Sequence, residues 1–125
     1  MKCFILDDEI DKEPRIGIIK ALKDRHTITI TRDRYEAEKV YKPEHDLLLL
    51  DHDMRGFYDL SSHPTTAFHF VKWLVTVPHK KKPRVILHSQ NGNGRQNQLK
   101  VLHEAGFKVD EFAFCSAYVK HLEEL

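Results

Sequence analysis

Long apolar runs are absent from this chain, and so is any large excess of charge of one sign. The 125 residues carry 20 Lys and Arg against 19 Asp and Glu, a net charge of +1. No global field therefore points to nucleic acid or to an anionic membrane as a partner. Neither a signal peptide nor a segment long enough to span a bilayer is present, so a cytoplasmic chain with no membrane role is expected. Cysteine is scarce: Cys3 and Cys115 have neither disulfide-framework nor zinc-site spacing. Both read as buried and reduced, which suits a cytosolic compartment. No internal repeat or low-complexity segment appears. What remains is ordinary globular composition, 41% hydrophobic and 31% charged, at a length expected to form one domain over residues 1–125.

Three aspartates stand out from this plain background. Asp7 and Asp8 follow the apolar run Cys3-Phe4-Ile5-Leu6, and Asp51 follows Leu47-Leu48-Leu49-Leu50. Each run is too short for a confident helix and reads as a fully buried strand. If the two strands are parallel neighbours, all three carboxylates open on one edge of the sheet, where open α/β sheets bind ligands. Carboxylates brought that close repel one another and coexist best around a hard divalent cation. Mg2+ or Mn2+ is the expected cofactor, with Asp53 a further candidate ligand.

The order of elements supports that placement. A first strand is expected over Lys2–Leu6, followed by a helix that starts near Pro14 and ends near Arg25, with Ile16, Ile19 and Leu22 on one face. Thr27–Thr31 alternates polar and apolar and is β-branched throughout, a strand signature. Asp33 caps a helix carrying Ala37, Val40 and Tyr41, which Pro43 terminates. His45–Leu50 reads as the third and most central strand. A loop rich in Gly, Asp, Ser and His covers Asp51–Pro64. The next helix has Ala67, Phe68, Val71, Leu74 and Val75 at helical spacing. Pro83–Leu87 reads as strand four, Asn91–Gly94 as a turn, and Arg95–Ala105 as a helix with Leu99 and Leu102 inward and Gly106 ending it. A fifth strand near Asp110–Phe114 and a last helix complete five β/α units. Such alternation predicts an α/β, doubly wound, five-stranded parallel sheet, and the flavodoxin-like order 2-1-3-4-5 sets strands one and three side by side.

Leu6-Asp7-Asp8-Glu9, Asp51 and Ser89 after strand four resemble the receiver domain of response regulators over nearly the whole chain. The resemblance implies that the acidic pair and Asp51 hold magnesium, that Asp51 accepts a phosphoryl group, and that Ser89 contacts that group. Where a receiver carries a lysine after strand five, this chain reads Phe112-Ala113-Phe114-Cys115. A narrower group is a better match. Asp51-His52-Asp53, the helix Phe70-Val71-Lys72-Trp73-Leu74, and His88-Ser89-Gln90-Asn91 with the following Gly92, Gly94 and Arg95 look like the cyclic-phosphate-processing receiver domains. That resemblance implies action on cyclic phosphate ends of RNA or on cyclic nucleotides, in RNA repair or phage–host conflict.

The chemistry stands beside the resemblance. A metal held by Asp7, Asp8 and Asp51 would act as a Lewis acid on a phosphoryl oxygen, or Asp51 would itself be the nucleophile. His52 and His88 follow neighbouring strands, and imidazole suits both proton transfers of phosphodiester opening. Asn91, the N–H groups around Gly92 and the Arg95 guanidinium would cradle an anion. Plainer readings stand next to each. Asp7 or Asp8 can cap a turn, strand alternation points His52 away from Asp51, Asn-Gly is a common turn pair, and Arg95 can be an ordinary surface residue. Asp53, Tyr58 and His63 belong either to a lid or to a solvated loop. Trp73 reads as packing. The basic run His79-Lys80-Lys81-Lys82-Pro83-Arg84 precedes strand four, so it falls at the opposite end of the sheet. A solvated loop is the default there and an RNA-docking patch the lesser reading. The expected ligand is a phosphate ester. The alternatives are a stand-alone receiver phosphorylated on Asp51 and a sponge that binds a nucleotide without cleaving it.

Overall fold

A computed structural model describes residues 1–8, 10, 16–51, 67–88, 92–112 and 116–125. The elements in chain order are β1 (Lys2–Leu6), α1 (Ile16–Leu22), β2 (Thr27–Thr31), α2 (Arg34–Val40), β3 (Leu47–Leu50), α3 (Ala67–Leu74), β4 (Arg84–His88), α4 (Gly92–Glu104), β5 (Val109–Phe112) and α5 (Ser116–Glu123). The strands form one parallel sheet in the order β2-β1-β3-β4-β5. This is the doubly wound order expected from the sequence, and it brings β1 and β3 together. Among the described residues, no helix is long and apolar enough to cross a membrane.

Strand alternation divides the core into two layers. Phe4, Leu6, Leu48, Leu50, Val85 and Leu87 pack on one face with Ala37, Phe70, Val71, Leu74 and Leu102 of α2, α3 and α4. Cys3, Ile5, Leu47, Leu49 and Ile86 pack on the other with Ile18 and Leu22 of α1 and Leu122 of α5. Because helices cover both faces, β3 is buried at all four positions and needs no polar alternation. Phe4 and Phe70 stack with ring centroids 5.7 Å apart, and Tyr41 meets Phe4 edge-on at 5.3 Å. Burial pushes the Cys3 thiol up to about 11, as expected of a structural, reduced cysteine. Cys115 lies outside the described residues.

Several helix faces and boundaries depart from the sequence reading. In α1 it is Ile18 and Leu22 that are fully buried, with Ile16 and Ile19 only partly so. The sheet contact, which sequence spacing alone does not reveal, selects which of the consecutive isoleucines faces inward. On α2 the buried pair is Ala37 and Tyr41, while Val40 is 39% exposed. β3 begins at Leu47 rather than at His45. His45 turns back on the local backbone, its Nδ1 lying 2.8 Å from the Lys42 carbonyl, and Asp46 accepts from the Lys2 amide at 2.9 Å. The Asp33 cap holds, with its carboxylate accepting from the Glu36 amide at 2.8 Å.

Helix α4 starts at Gly92, so Gly92-Asn93-Gly94 is helical backbone instead of a preceding turn. Packing through Leu99 and Leu102 outweighs the helix penalty of about 1 kcal/mol for each glycine. Its far end follows the expectation: Gly106 takes φ 86°. The Gly106 amide donates to His103 and the Phe107 amide to Leu102, which closes a Schellman motif.

Candidate metal centre at the acidic sheet edge

The ladders of the sheet place the acidic side chains. The Asp7 amide donates to the Thr31 carbonyl at 3.1 Å, and the Asp51 amide donates to the Leu6 carbonyl at 2.9 Å. Each bond extends a parallel ladder one residue past its strand, so both aspartates sit on ordered backbone at the carboxyl ends of β1 and β3. The Thr31 hydroxyl adds a buried bond to the Ile5 carbonyl at 2.8 Å, tightening the β1–β2 edge. Leu6 pairs with Leu50 and Leu50 with Leu87. The next row across three strands is therefore Asp7, Asp51 and His88. All three are fully buried, although each can carry charge.

Asp7, Asp8 and Asp51 each offer a carboxylate oxygen, and these oxygens lie within 4.8 Å of one another. Asp8 is partly exposed and forms the open side of the cluster. An octahedral magnesium ion with oxygens at about 2.1 Å holds opposite ligands about 4.2 Å apart. The cluster thus fits a hard divalent cation with only slight closure, and its donors are the hard oxygens such an ion prefers. Buried carboxylates at this spacing are costly without a countercharge.

His88, expected as a proton-transfer group, contacts a candidate metal ligand. Its Nε2 lies 3.0 Å from Asp7 Oδ2, with both side chains inaccessible to solvent. An ionised carboxylate only accepts, so the imidazole donates through Nε2–H. The ring crosses β3 to make this contact, bridging two strand spacings, about 9.6 Å. His88 thus makes an outer hydrogen bond to a candidate metal ligand, a contact of the kind that fixes a ligand's orientation. Sequence spacing gave no sign of this partnership, because it depends on the register of three strands.

Of the other expected site residues, His52, Asp53, Ser89 and Asn91 lie outside the described residues, as do Tyr58 and His63. Gly92 opens α4 at the same edge of the sheet. Arg95 lies in that helix's first turn, and its side chain is not among those described. Trp73 is partly buried against the core, as a packing residue should be. Gln98 was not anticipated as a core residue: it is fully buried on α4, and neither amide atom has a hydrogen-bond partner among the described residues.

The fold and the acidic edge together define a receiver domain. The chain is similar to the phosphorylated cyanobacterial phytochrome response regulator RcpA, with a TM-score of 0.68, 16% identity, and coverage of 98% of this chain and 89% of that one. It is similar to the Mn2+-bound response regulator Rcp1, with a TM-score of 0.67, 15% identity, and coverage of 98% and 89%. It also resembles the response regulator TrrA of Thermotoga maritima, solved with Mg2+ and BeF, with a TM-score of 0.63, 20% identity, and coverage of 98% and 93%. No curated protein matches. Within the receiver class the chain belongs to the cyclic-phosphate processing receiver domain family, whose sequence model matches residues 3–104.

Proposed function

We propose that this receiver domain is a metal-dependent protein that binds and hydrolyses a phosphate ester, a cyclic phosphate at an RNA terminus or in a cyclic nucleotide. The observation that carries the reading is the cluster of Asp7, Asp8 and Asp51 with the buried His88 bonded to Asp7. The three carboxylates would hold Mg2+ or Mn2+, which would supply Lewis-acid polarisation of a phosphoryl oxygen. His88 keeps Asp7 in a fixed orientation by donating its Nε2–H. Asp7 and Asp51 sit on extended ladders, so the ligand oxygens are held before any ester arrives. His52, which follows Asp51 in the chain, is the proposed proton-transfer group. Ser89, Asn91, the Gly92 amide and Arg95 are proposed to contact the phosphate, and Asp53 to complete the ligand set. Hydrolysis forms a bond from water oxygen to phosphorus and breaks the bond from phosphorus to one ribose oxygen. The proton lost by water ends on that oxygen, for a net gain of one water.

A second reading is favoured by the likeness to phosphorylated and BeF-bound receivers: a signalling domain phosphorylated on Asp51. The stretch Phe112–Cys115 offers no lysine to read such a group. Mass spectrometry separates the readings. The protein with magnesium or manganese is incubated with RNA ended in 2′,3′-cyclic phosphate, 2′,3′-cyclic mononucleotides, and cyclic di- and trinucleotides. A gain of one water on one of these, lost in Asp51→Asn, is the expected result. A bound ligand recovered intact would make the protein a sponge. A stable, metal-dependent acyl phosphate on Asp51 after acetyl phosphate treatment would establish the signalling receiver.

A further inference from the structure

A groove of about 1200 Å3 opens at the opposite end of the sheet from the acidic cluster. It runs beneath the amino ends of β3, β4 and β5, between the segment entering β3, the loop from α3 to β4, and the loop from α4 to β5. Strand β4 alone, from Arg84 to His88, separates the two ends by about 13 Å. The groove exceeds the roughly 300–1,000 Å3 of a small-molecule pocket, which suits a stretch of polymer.

Its charge is concentrated, with the Lys82 ammonium also lying 5.8 Å from the Phe107 ring centroid. Lys80, Lys81 and Lys82 stand on one side, Lys108 on another, and all four are exposed. The remaining charged groups of the groove, including the Met1 ammonium 3.1 Å from His26 Nδ1, are engaged elsewhere. Glu44 pairs with Lys2 at 3.4 Å, Asp46 accepts from the Lys2 amide, and Arg84 pairs with Asp110 at 2.6 Å. None of the four lysines has a carboxylate partner among the described residues. A chain with a net charge of +1 thus gathers four uncompensated cations around one concavity.

Ring side chains also line the groove. Pro43, Pro78 and Pro83 line it, together with the imidazoles of His45 and His79. His79 is held by the Tyr41 hydroxyl, 2.7 Å from its Nε2, and by an edge contact with Phe107 at 5.6 Å. Burial lowers the affinity of His79 for a proton. Ammonium groups spaced around an open groove are the arrangement that tracks the phosphates of a single strand.

We infer that this basic groove is an RNA-docking site that holds the phosphate backbone of a single strand, separate from the acidic site and independent of its chemistry. Four neutralised phosphates give a salt slope of about −2.8, so affinity falls about fiftyfold between about 50 and about 200 mM salt. The test is fluorescence anisotropy of a short fluorescein-labelled oligouridylate at those two salt concentrations. The proteins compared are the wild type, the triple variant Lys80→Gln, Lys81→Gln, Lys82→Gln, and Asp51→Asn. The expected result is steep salt dependence in the wild type and a slope near −0.7 in the triple variant, with its circular dichroism unchanged. Asp51→Asn is expected to bind RNA as the wild type does, whether or not the acidic site turns over an ester. No binding at low salt, or an unchanged triple variant, overturns the inference. Loss of binding in Asp51→Asn would move the RNA to the acidic edge. Equal binding of oligothymidylate, or equal competition by polyglutamate, would reduce the groove to a general polyanion patch.

Discussion

The two ends of this sheet carry opposite charge, and they hold it in opposite ways. At the carboxyl ends of the strands, Asp7, Asp51 and His88 are fully buried on backbone that continues the parallel ladders. At the amino ends, Lys80, Lys81, Lys82 and Lys108 stand exposed on loops. Buried, ladder-held carboxylates are costly to assemble but accurately placed, as coordination of an ion or a reacting group demands. Exposed lysines on flexible stems cost little and tolerate imprecise partners, which suits contact with a repeating backbone. The comparison teaches that an almost neutral chain can carry two strong local fields, separated by little more than the length of a strand.

The sharpest way to break this contrast is Asp51→Asn. Calorimetry with magnesium or manganese is expected to show that binding is abolished, while the basic groove is untouched. Thermal unfolding adds a second readout with a sign of its own. In chelator, removing one of three mutually repelling carboxylates, two of them fully buried, raises the unfolding temperature of the variant above that of the wild type. In metal at about a hundred times the dissociation constant the order reverses, because the wild type gains about 2.7 kcal/mol from the bound ion. Unchanged metal affinity in the variant would remove Asp51 from the ligand set.

Phe70→Ala tests whether both ends depend on the same frame. Phe70 is fully buried between Phe4, Tyr41 and Trp73, and truncation of a core phenylalanine costs about 3–5 kcal/mol. Urea denaturation should show that loss. Metal binding at the acidic end should fall when the variant is assayed close to its unfolding midpoint and recover when it is assayed well below it. A loss under about 1 kcal/mol would mean that the aromatic cluster is peripheral.

The contrast also marks what could be read from sequence. β1 and β2 have the boundaries expected for them, because an apolar run and an alternating β-branched run are signals carried by each residue in its own place. The acidic edge was legible for the same reason: Asp7, Asp8 and Asp51 directly follow such runs. Ile18, Val40 and Phe70 were misplaced or missed because a helix carrying apolar residues on more than one side has no unique inward face until the sheet selects one. Gln98 gave no signal, since a buried amide looks like a surface residue in a sequence. The bond from His88 to Asp7 is a property of register across β1, β3 and β4, and no spacing within one strand encodes it.

His88→Ala is expected to separate positioning from ligation. The metal should still bind, about tenfold more weakly, the lower end of the range for loss of an outer hydrogen bond to a ligand. Turnover of any ester found by the substrate screen should be lost. His88→Gln offers an amide donor in place of Nε2–H and should recover part of the affinity. If His88→Ala removes the metal as completely as Asp51→Asn does, the imidazole is itself a ligand.

The smallest expected effect lies at the basic end, where one glycine links the turn after α4 to the lysine loop. Gly106 takes φ 86°, and a Cβ placed there would come within 3.0 Å of Lys82 Nζ. The left-handed conformation costs a non-glycine residue about 1–2 kcal/mol, whereas the lysine terminus is flexible and can move aside. Gly106→Ala is therefore expected to lose about 1 kcal/mol in urea denaturation, entirely from the backbone. Lys82→Ala combined with Gly106→Ala should recover almost none of that loss. Full recovery in the double variant would show that the clash, and so a rigidly held Lys82, sets the cost. The basic end would then be as preorganised as the acidic one.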